Sequence, residues 1–101
     1  HPATKEAEHP MANVLIPQPL RNLTGDKSKV TAGGGTLSAV IGDLEATYPG
    51  MRDRLLDDIG ALRRFVNIYV NGDDVRFLDG LGTALKENDE ISIVPAVAGG
   101  C

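Results

Sequence analysis

The chain of 101 residues contains 42% hydrophobic and 24% charged residues, a composition typical of one globular domain. Ten Lys and Arg residues against fourteen Asp and Glu residues give a formal net charge of −4, so the chain lacks the excess positive charge that nucleic acids and anionic membranes attract. Cysteine occurs once and both histidines precede Met11, which excludes an intrachain disulfide, a His/Cys metal site in the globular part and a histidine-activated nucleophile, so we expect no enzyme activity.

The N-terminal segment, residues 1–10, is polar and has no hydrophobic periodicity. It lacks the apolar core of a secretory signal, and the chain contains no apolar run long enough to cross a bilayer. We therefore interpret residues 1–10 as a disordered extension or the remnant of a tag and take Met11 as the native start. We expect a cytoplasmic protein with no membrane or nucleic-acid partner.

Two short strands are predicted near the start of the globular part. The apolar run Ala12–Pro17 favours a strand that ends at its proline. Arg21–Asp26 is a polar turn region, and the weak alternation of Lys27–Ala32 indicates a second strand. The two strands are expected to form a hairpin.

The most regular pattern in the chain is that of an amphipathic helix. Gly33–Gly35 ends the second strand, and Thr36 is a candidate N-cap. Apolar side chains then recur at helical spacing, at Leu37, Val40, Ile41, Leu44 and Tyr48. Pro49 and the glycine after it end the helix, and Met51–Leu56 adds a short helical turn.

Three further strands are predicted in the second half. Phe65–Asn71 alternates, with Val66, Ile68 and Val70 on one face and Phe65, Asn67 and Tyr69 on the other. The Asn-Gly pair that follows favours a tight turn into a returning strand at Val75–Phe77. Leu78–Leu85 is expected to contain one helical turn, and Glu90–Pro95 reads as the last strand.

The order of elements predicts an α+β domain over residues 11–95. One main helix between pairs of strands buries its apolar stripe on one face of a mixed sheet of four to five strands. The end of the chain, residues 96–101, carries small side chains and Val97, so we expect a flexible tail. A slim Gly-Gly end can enter a narrow channel where side chains would collide.

These features together resemble the ubiquitin-like β-grasp sulfur carrier proteins, which serve molybdopterin, thiamine and cysteine biosynthesis. The resemblance covers Met11–Gly100 and is greatest to the carriers of cysteine biosynthesis. It is carried by the runs Arg64–Asn71, Asp74–Phe77 and Ile93–Gly100 together with the order of elements. A ubiquitin-like β-grasp fold with a C-terminal Gly-Gly tail is implied.

The resemblance also implies the chemistry of the tail. An activating enzyme of the ubiquitin-activating (E1-like) type uses ATP to adenylate the Gly100 carboxylate, and sulfur then replaces the adenylate to give a thiocarboxylate. Ala98 and Gly99 thread the partner's channel. A pyridoxal-phosphate-dependent cysteine synthase supplies the acceptor, and a zinc metallopeptidase releases the cysteine. The carrier itself holds no cofactor.

Cys101 departs from the Gly-Gly end that the family carries. It has three interpretations. It is the cysteine product still attached to the carrier, an encoded extension that a protease removes, or a residue added to the chain. Because adenylation needs a free carboxylate on Gly100, the chain must lose Cys101 before activation.

Candidate partner-binding residues lie on the sheet face that the helix does not cover. Phe65 and Tyr69 are expected on this face, and the resemblance assigns Phe65 and Val94 as partner contacts, with Val97 in the tail beside them. Lateral packing of Phe65 and Tyr69 beneath a loop is the alternative.

Two other functions remain open at this point. One is a role as the small subunit of molybdopterin synthase or as the thiamine sulfur carrier. The other is a ubiquitin-like protein modifier that attaches to lysines through Gly100. Stable co-purification with a large subunit would favour the synthase subunit, and higher-mass conjugates would favour the modifier.

Overall fold

The computed structural model describes residues 10–95. In chain order this part contains strands β1 (Met11–Leu15) and β2 (Lys29–Gly33), helices α1 (Leu37–Thr47) and α2 (Met51–Leu55), and strands β3 (Val66–Val70), β4 (Asp73–Asp74) and β5 (Glu90–Pro95). Short 3-10 helices lie in the connections, at Gln18–Leu23, Val75–Phe77 and Gly80–Gly82. The order of two strands, a main helix and three strands is the predicted one, although the fourth strand lies at Asp73–Asp74 and not at Val75–Phe77.

The five strands form one mixed sheet in the order β2-β1-β5-β3-β4. Strands β1 and β5 pair in parallel, and every other neighbouring pair in this sheet is antiparallel. The first and last strands therefore lie side by side near the centre, with a hairpin on either side. This is the ubiquitin-like β-grasp topology, which confirms the predicted mixed sheet with one main helix on one face.

Helix α1 has the start and the buried face that the sequence predicts. The Thr36 hydroxyl accepts a hydrogen bond from the backbone N–H of Ala39 at 3.2 Å and so caps the first turn. The buried residues of the helix are the predicted ones, Leu37, Val40, Ile41 and Leu44. Tyr48 follows the last turn and packs against the core while partly exposed.

The sheet contributes its alternate side chains to the same core. Val66, Ile68 and Val70 of β3 are buried, whereas Asn67 and Tyr69 between them are partly exposed. The neighbouring strands follow the same alternation, with buried side chains at Ala12, Val14, Val30, Ala32, Ile91 and Ile93. Within residues 10–95 the helix side of the sheet is therefore closed, and side chains of the opposite side are partly exposed.

Strand β3 leads into a tight turn at Asn71 and Gly72. Both residues have positive φ angles, of 53° and 93°, as a two-residue hairpin turn of type I′ requires. The Asn71 side chain also binds the start of β5, since its Oδ1 accepts the Glu90 N–H at 2.9 Å and its Nδ2 donates to Asp89 at 3.0 Å. The turn predicted from the Asn-Gly pair is confirmed.

The strand predicted at Val75–Phe77 is wrong. Pairing with β3 covers Asp73–Asp74, and Val75–Phe77 forms a 3-10 helix. The Asp74 carboxylate accepts the backbone N–H of Arg76 at 2.8 Å, and such a local cap competes with the hydrogen bonds of a sheet. As a result Val75 is fully buried, and Phe77 is 87% exposed.

The connection between β1 and β2 is more ordered than the polar turn predicted for Arg21–Asp26. Gln18–Leu23 forms a 3-10 helix that buries Leu20. The buried Thr24 hydroxyl lies 3.2 Å from the carbonyl of Arg21 and 2.9 Å from that of Lys27, and so holds the turn into β2.

No helix between residues 10 and 95 is long and apolar enough to cross a membrane.

Candidate functional site

The sheet face opposite α1 carries Tyr69 and Val94 of the predicted partner-binding residues, and the turn just before β3 carries Phe65; we call this face and the turn together the open face. Strand pairing places Asn67 opposite Val94 and Tyr69 opposite Ser92. Val94 therefore lies diagonally across from Tyr69, at a spacing that an aromatic side chain can bridge, and Phe65 lies in the turn that leads into the paired residue Val66. Phe65 is 55% exposed and Val94 is 46% exposed, while Tyr69 is partly exposed.

The open face extends beyond the predicted residues to the first strand. Leu15 of β1 pairs with Ser92 of β5, and Ser92 pairs in turn with Tyr69 of β3. Leu15 is partly exposed, although the residues on either side of it are buried. The small Ser92 side chain thus separates two apolar side chains in one row. Leu15 was not predicted from the sequence, because Val14, Leu15 and Ile16 are all apolar and so show no alternation that would separate the two faces.

A turn just before β3 presents Phe65. The backbone N–H of Val66 donates to the Arg63 carbonyl at 3.0 Å, which leaves Arg64 and Phe65 at the tip of this turn. A shallow depression beside Phe65 is lined by Asp57, Arg63, Arg64 and Val66. The turn places an exposed aromatic ring next to exposed positive charges.

Arg76 holds this turn in place from a distant part of the chain. Its Nη2 donates to the carbonyls of Arg63 at 2.9 Å and Val66 at 2.8 Å, and its Nη1 donates to Asn67 Oδ1 at 2.8 Å. The guanidinium therefore bridges the two ends of the turn that carries Phe65. This role was not predicted, because nothing local in the sequence signals contacts that span nine to thirteen residues.

The end of β5 lies beside the same turn. Pro95, the last described residue, pairs with Val66 at the start of β3. The chain therefore leaves the described domain next to Phe65 and Val94. The predicted tail residues lie outside the described residues, namely Val97, Ala98, Gly99, Gly100 and Cys101, as do residues 1–9 of the predicted N-terminal extension.

Residues 10–95 contain neither histidine nor cysteine, so a metal site in this part would have to be built from oxygen ligands. Between residues 10 and 95 no cluster of three or more His, Cys, Asp or Glu side chains could hold a metal ion. The acidic side chains of this part are spread over turns, as at Asp58 and Asp79, and over helices and strands, as at Asp43 and Glu90. Several of them accept backbone N–H groups, as Asp57 does from Ile59 and Ala61 at 3.0 Å each.

Comparison with known proteins identifies relatives that match most of the length of this chain. The sulfur carrier protein CysO of Mycobacterium tuberculosis is 56% identical over 89 residues, which cover 86% of this chain and 96% of CysO. A crystal structure of that CysO matches with a TM-score of 0.82 at 53% identity, covering 85% of this chain and 99% of the other. Both sequence and fold therefore agree across the described domain.

Two more relatives extend the comparison. The crystal structure of the BexX/CysO complex of Amycolatopsis orientalis contains a chain that matches with a TM-score of 0.83 at 43% identity, covering 87% of this chain and 98% of that one. Small archaeal modifier protein 3 of Haloferax volcanii is 45% identical over 65 residues, which cover 64% of this chain and 70% of the archaeal protein. The sequence pattern of the ThiS family matches residues 14–100. The chain belongs to the ThiS family.

Proposed function

We propose that this protein is a sulfur carrier that donates sulfur for cysteine biosynthesis. The observation that carries the proposal is the 56% identity to the sulfur carrier CysO over 96% of the length of that protein. The family match ends at Gly100, which supports Gly100 as the residue that carries sulfur. Strand β5 ends beside the exposed side chains of Phe65 and Val94. This position suits a domain that docks on a partner through these side chains and presents residues 96–101 as the reactive tail.

The reactive group in this proposal is the carboxylate of Gly100. A carboxylate oxygen attacks the α-phosphate of ATP on the activating enzyme, and pyrophosphate leaves. A sulfur nucleophile then attacks the acyl carbon and displaces AMP, which leaves a thiocarboxylate on Gly100. The thiocarboxylate is an anion tethered to a protein, so docking raises its effective concentration at the acceptor.

The carrier contributes recognition, and its partners contribute catalysis. The stretch from Met11 to Gly100 contains neither histidine nor cysteine. We assign the ATP to an E1-like activating enzyme, the pyridoxal phosphate to a cysteine synthase and the zinc to a metallopeptidase. The carrier holds no cofactor in this proposal, and all of these steps take place in the cytoplasm.

Docking is assigned to the open face. Phe65, Tyr69 and Val94 supply the apolar contact, and exposed apolar side chains on a sheet face are suited to a partner surface. Val97, Ala98 and Gly99 follow into the partner's channel, where the absence of bulky side chains on the last residues avoids steric conflict. Residues 11–95 thus act as the docking domain and residues 96–101 as the reactive tail.

Cys101 is assigned as the cysteine product still attached to Gly100. In this sequence of steps the thiocarboxylate sulfur adds to an aminoacrylate on the synthase and forms a thioester. An S-to-N acyl shift then gives an amide between Gly100 and the new cysteine, and hydrolysis of that amide frees the cysteine. An encoded extension and an added residue are the other two interpretations, and both leave the chemistry at Gly100 unchanged.

The test uses a chain that ends at Gly100, with the activating enzyme from the same genome, ATP and sulfide. We expect intact-mass spectrometry to show the exchange of one oxygen atom for sulfur. The full chain with Cys101 is the matched control and should show no exchange, because its Gly100 carboxyl group is an amide. Absence of a thiocarboxylate on the Gly100-ending chain would overturn the proposal.

A protein modifier is the second candidate, favoured by the 45% identity to small archaeal modifier protein 3 over 65 residues. A modifier would form an amide between Gly100 and a lysine of another protein. The test is expression of an epitope-tagged chain in its own cells, followed by denaturing gels. We expect no conjugates of higher mass, and a ladder that disappears when Gly100 is deleted would establish the modifier function instead.

A further inference from the structure

The shallow depression beside Phe65 lies at the edge of the sheet, where strand β5 ends. The residues that line it are Asp57, Arg63, Arg64, Phe65 and Val66. Pro95 pairs with Val66, so the last strand reaches this depression with its final described residue. Phe65 is 55% exposed within the described part of the chain. The residues that follow Pro95 therefore start beside an apolar side chain that residues 10–95 leave uncovered.

The loop between α2 and β3 forms one wall of the depression and is held by its own hydrogen bonds. Asp57 Oδ1 accepts the N–H groups of Ile59 and Ala61 at 3.0 Å each, and the Asp57 N–H donates to the Ala61 carbonyl at 2.8 Å. The Arg63 N–H donates at 3.0 Å to the carbonyl of Leu55, a fully buried residue of α2. Because α2 packs into the core on the helix side of the sheet, this wall stands on the helix side as well.

The hydrogen-bond phase of β3 and β5 places another pair of the ladder just beyond Pro95. The Asn71 N–H donates to the Glu90 carbonyl at 2.8 Å, so these two residues form a hydrogen-bonded pair. Hydrogen-bonded and non-hydrogen-bonded pairs alternate along antiparallel strands. Pro95 therefore falls at a non-hydrogen-bonded position, where its missing N–H costs the ladder with β3 nothing. Ala96, opposite Phe65, falls at a hydrogen-bonded position.

The backbone at the start of β3 agrees with this phase. The Val66 N–H donates to the Arg63 carbonyl at 3.0 Å, and the Val66 carbonyl accepts from Arg76 Nη2 at 2.8 Å. Both backbone groups of Val66 are thus engaged away from β5. Because successive residues direct these groups to opposite sides of a strand, those of Phe65 are directed toward β5.

Side-chain alternation then directs Val97 toward the depression. Ile91 and Ile93 of β5 are buried on the helix side, and Val94 between β5's last residues is exposed on the open face. Continuing this period of two places Pro95 and Val97 on the helix side, where the loop after α2 forms its wall. Val97 is also the one branched apolar side chain between residues 96 and 101.

We propose that this depression is a seat for the chain's own tail. Ala96 extends the ladder by pairing with Phe65, and the Val97 side chain packs into the depression against Phe65 and Val66. The three residues after Val97 then set the reach of Gly100, which is about 10 Å at about 3.4 Å per residue. A partner that draws Val97 into its channel must first displace it from this seat. The inference goes beyond the proposed function and does not depend on the chemistry at Gly100.

The experiment is NMR spectroscopy of the isotopically labelled full chain, without ATP or a partner. We expect NOE cross-peaks between the Val97 methyl groups and the Phe65 ring. The backbone order parameter should lie above about 0.7 at Val97 and below about 0.6 at Gly99 and Gly100. The Ala96 amide should exchange with solvent at least about tenfold more slowly than its unstructured rate, because it donates to the Phe65 carbonyl.

Variants of the seat and of its occupant distinguish a specific seat from general order near the end of β5. Val97→Ala and Phe65→Ala each remove one side of the contact and should lower the order parameter at residue 97 below about 0.6. Val97→Ile keeps a branched side chain, and Phe77→Ala removes an exposed ring that does not line the depression, so both should leave the order parameter unchanged. Thermal unfolding of all four variants should match that of the parent, because none alters the core of the described domain.

The seat and the sulfur carrier function fail in different ways. An order parameter at Val97 as low as that at Gly100, with no cross-peak between Val97 and Phe65, would overturn the seat. So would an order parameter at residue 97 that Val97→Ala and Phe65→Ala leave unchanged. Because the measurement contains no ATP, sulfide or partner, absence of a thiocarboxylate on Gly100 would leave the seat standing, and loss of the seat would leave the sulfur carrier proposal standing.

Discussion

The two faces of the sheet are built by the same strands and have different tasks. Along β3, Ile68 is fully buried against the helix side, and its neighbour Tyr69 lies partly exposed on the open face. The helix side is continuous and apolar, and it supplies the stability of the domain. The open face mixes apolar, small and charged side chains, as partner surfaces do. A substitution on one face is therefore expected to change folding, and a substitution one residue away to change binding.

The largest expected effect comes from the helix side. Ile68→Ala removes a fully buried side chain at the centre of the sheet and leaves a cavity among α1 and the strands. We expect a loss of about 3 kcal/mol in the free energy of unfolding. Urea unfolding monitored by circular dichroism measures this change in the free energy of unfolding. A loss below about 0.5 kcal/mol would contradict the assignment of this face as the core.

The next largest effect is expected on the open face. Phe65→Ala removes an exposed ring and should weaken binding to the activating enzyme by about 2 kcal/mol, as a contact at the centre of an interface does. Unfolding free energy should change by about 0.5 kcal/mol or less.

Phe77→Ala is the matched control for Phe65→Ala, because Phe77 is 87% exposed in a 3-10 helix outside the sheet. Calorimetric titration of both variants separates loss of an exposed ring from loss of the docking surface. Equal affinities of the two variants would contradict the role of the open face.

Arg76→Lys tests the link between the turn and the open face. It keeps the positive charge and removes the planar group that bridges Arg63, Val66 and Asn67. We expect a loss of about 1 to 2 kcal/mol in stability and faster hydrogen exchange of the Val66 amide. Unchanged exchange at Val66, with the amide of Ile68 as an internal reference, would show that the turn holds without Arg76.

The smallest effect is expected at the start of α1. Thr36→Ala removes the side-chain acceptor of the Ala39 N–H and should cost about 1 kcal/mol of stability. Thr36→Ser keeps the hydroxyl and serves as the control. Thermal unfolding distinguishes the two, and equal midpoints would mean that the capping bond contributes nothing.

The sequence predicts the helix side of the sheet well, since this face depends on local periodicity. The spacing of Leu37, Val40, Ile41 and Leu44 identifies the buried stripe of α1 without knowledge of its partners. The alternation of Val66, Ile68 and Val70 likewise predicts which side chains of β3 are buried. In both cases the regular spacing of side chains along the helix or strand determines which of them lie on the buried face.

The open face is less predictable, because it depends on how strands pair and on distant contacts. Leu15 joins it through the parallel pairing of β1 with β5, which local sequence does not specify. The Arg76 contacts with residues 63–67 arise from tertiary structure, and the 3-10 helix at Val75–Phe77 replaced a predicted strand because Asp74 caps it. Phe65 was predicted on this face because it is out of phase with Val66, Ile68 and Val70, and in the structure it lies in the turn before β3 and is exposed.

The most direct test of the sulfur carrier function is mass spectrometry of the intact protein and its C-terminal peptide from the cells that make it. We predict a mixture of three forms, namely free Gly100, its thiocarboxylate and the Cys101 amide. A population that ends uniformly at Cys101, with no thiocarboxylate, would contradict the proposed turnover at Gly100.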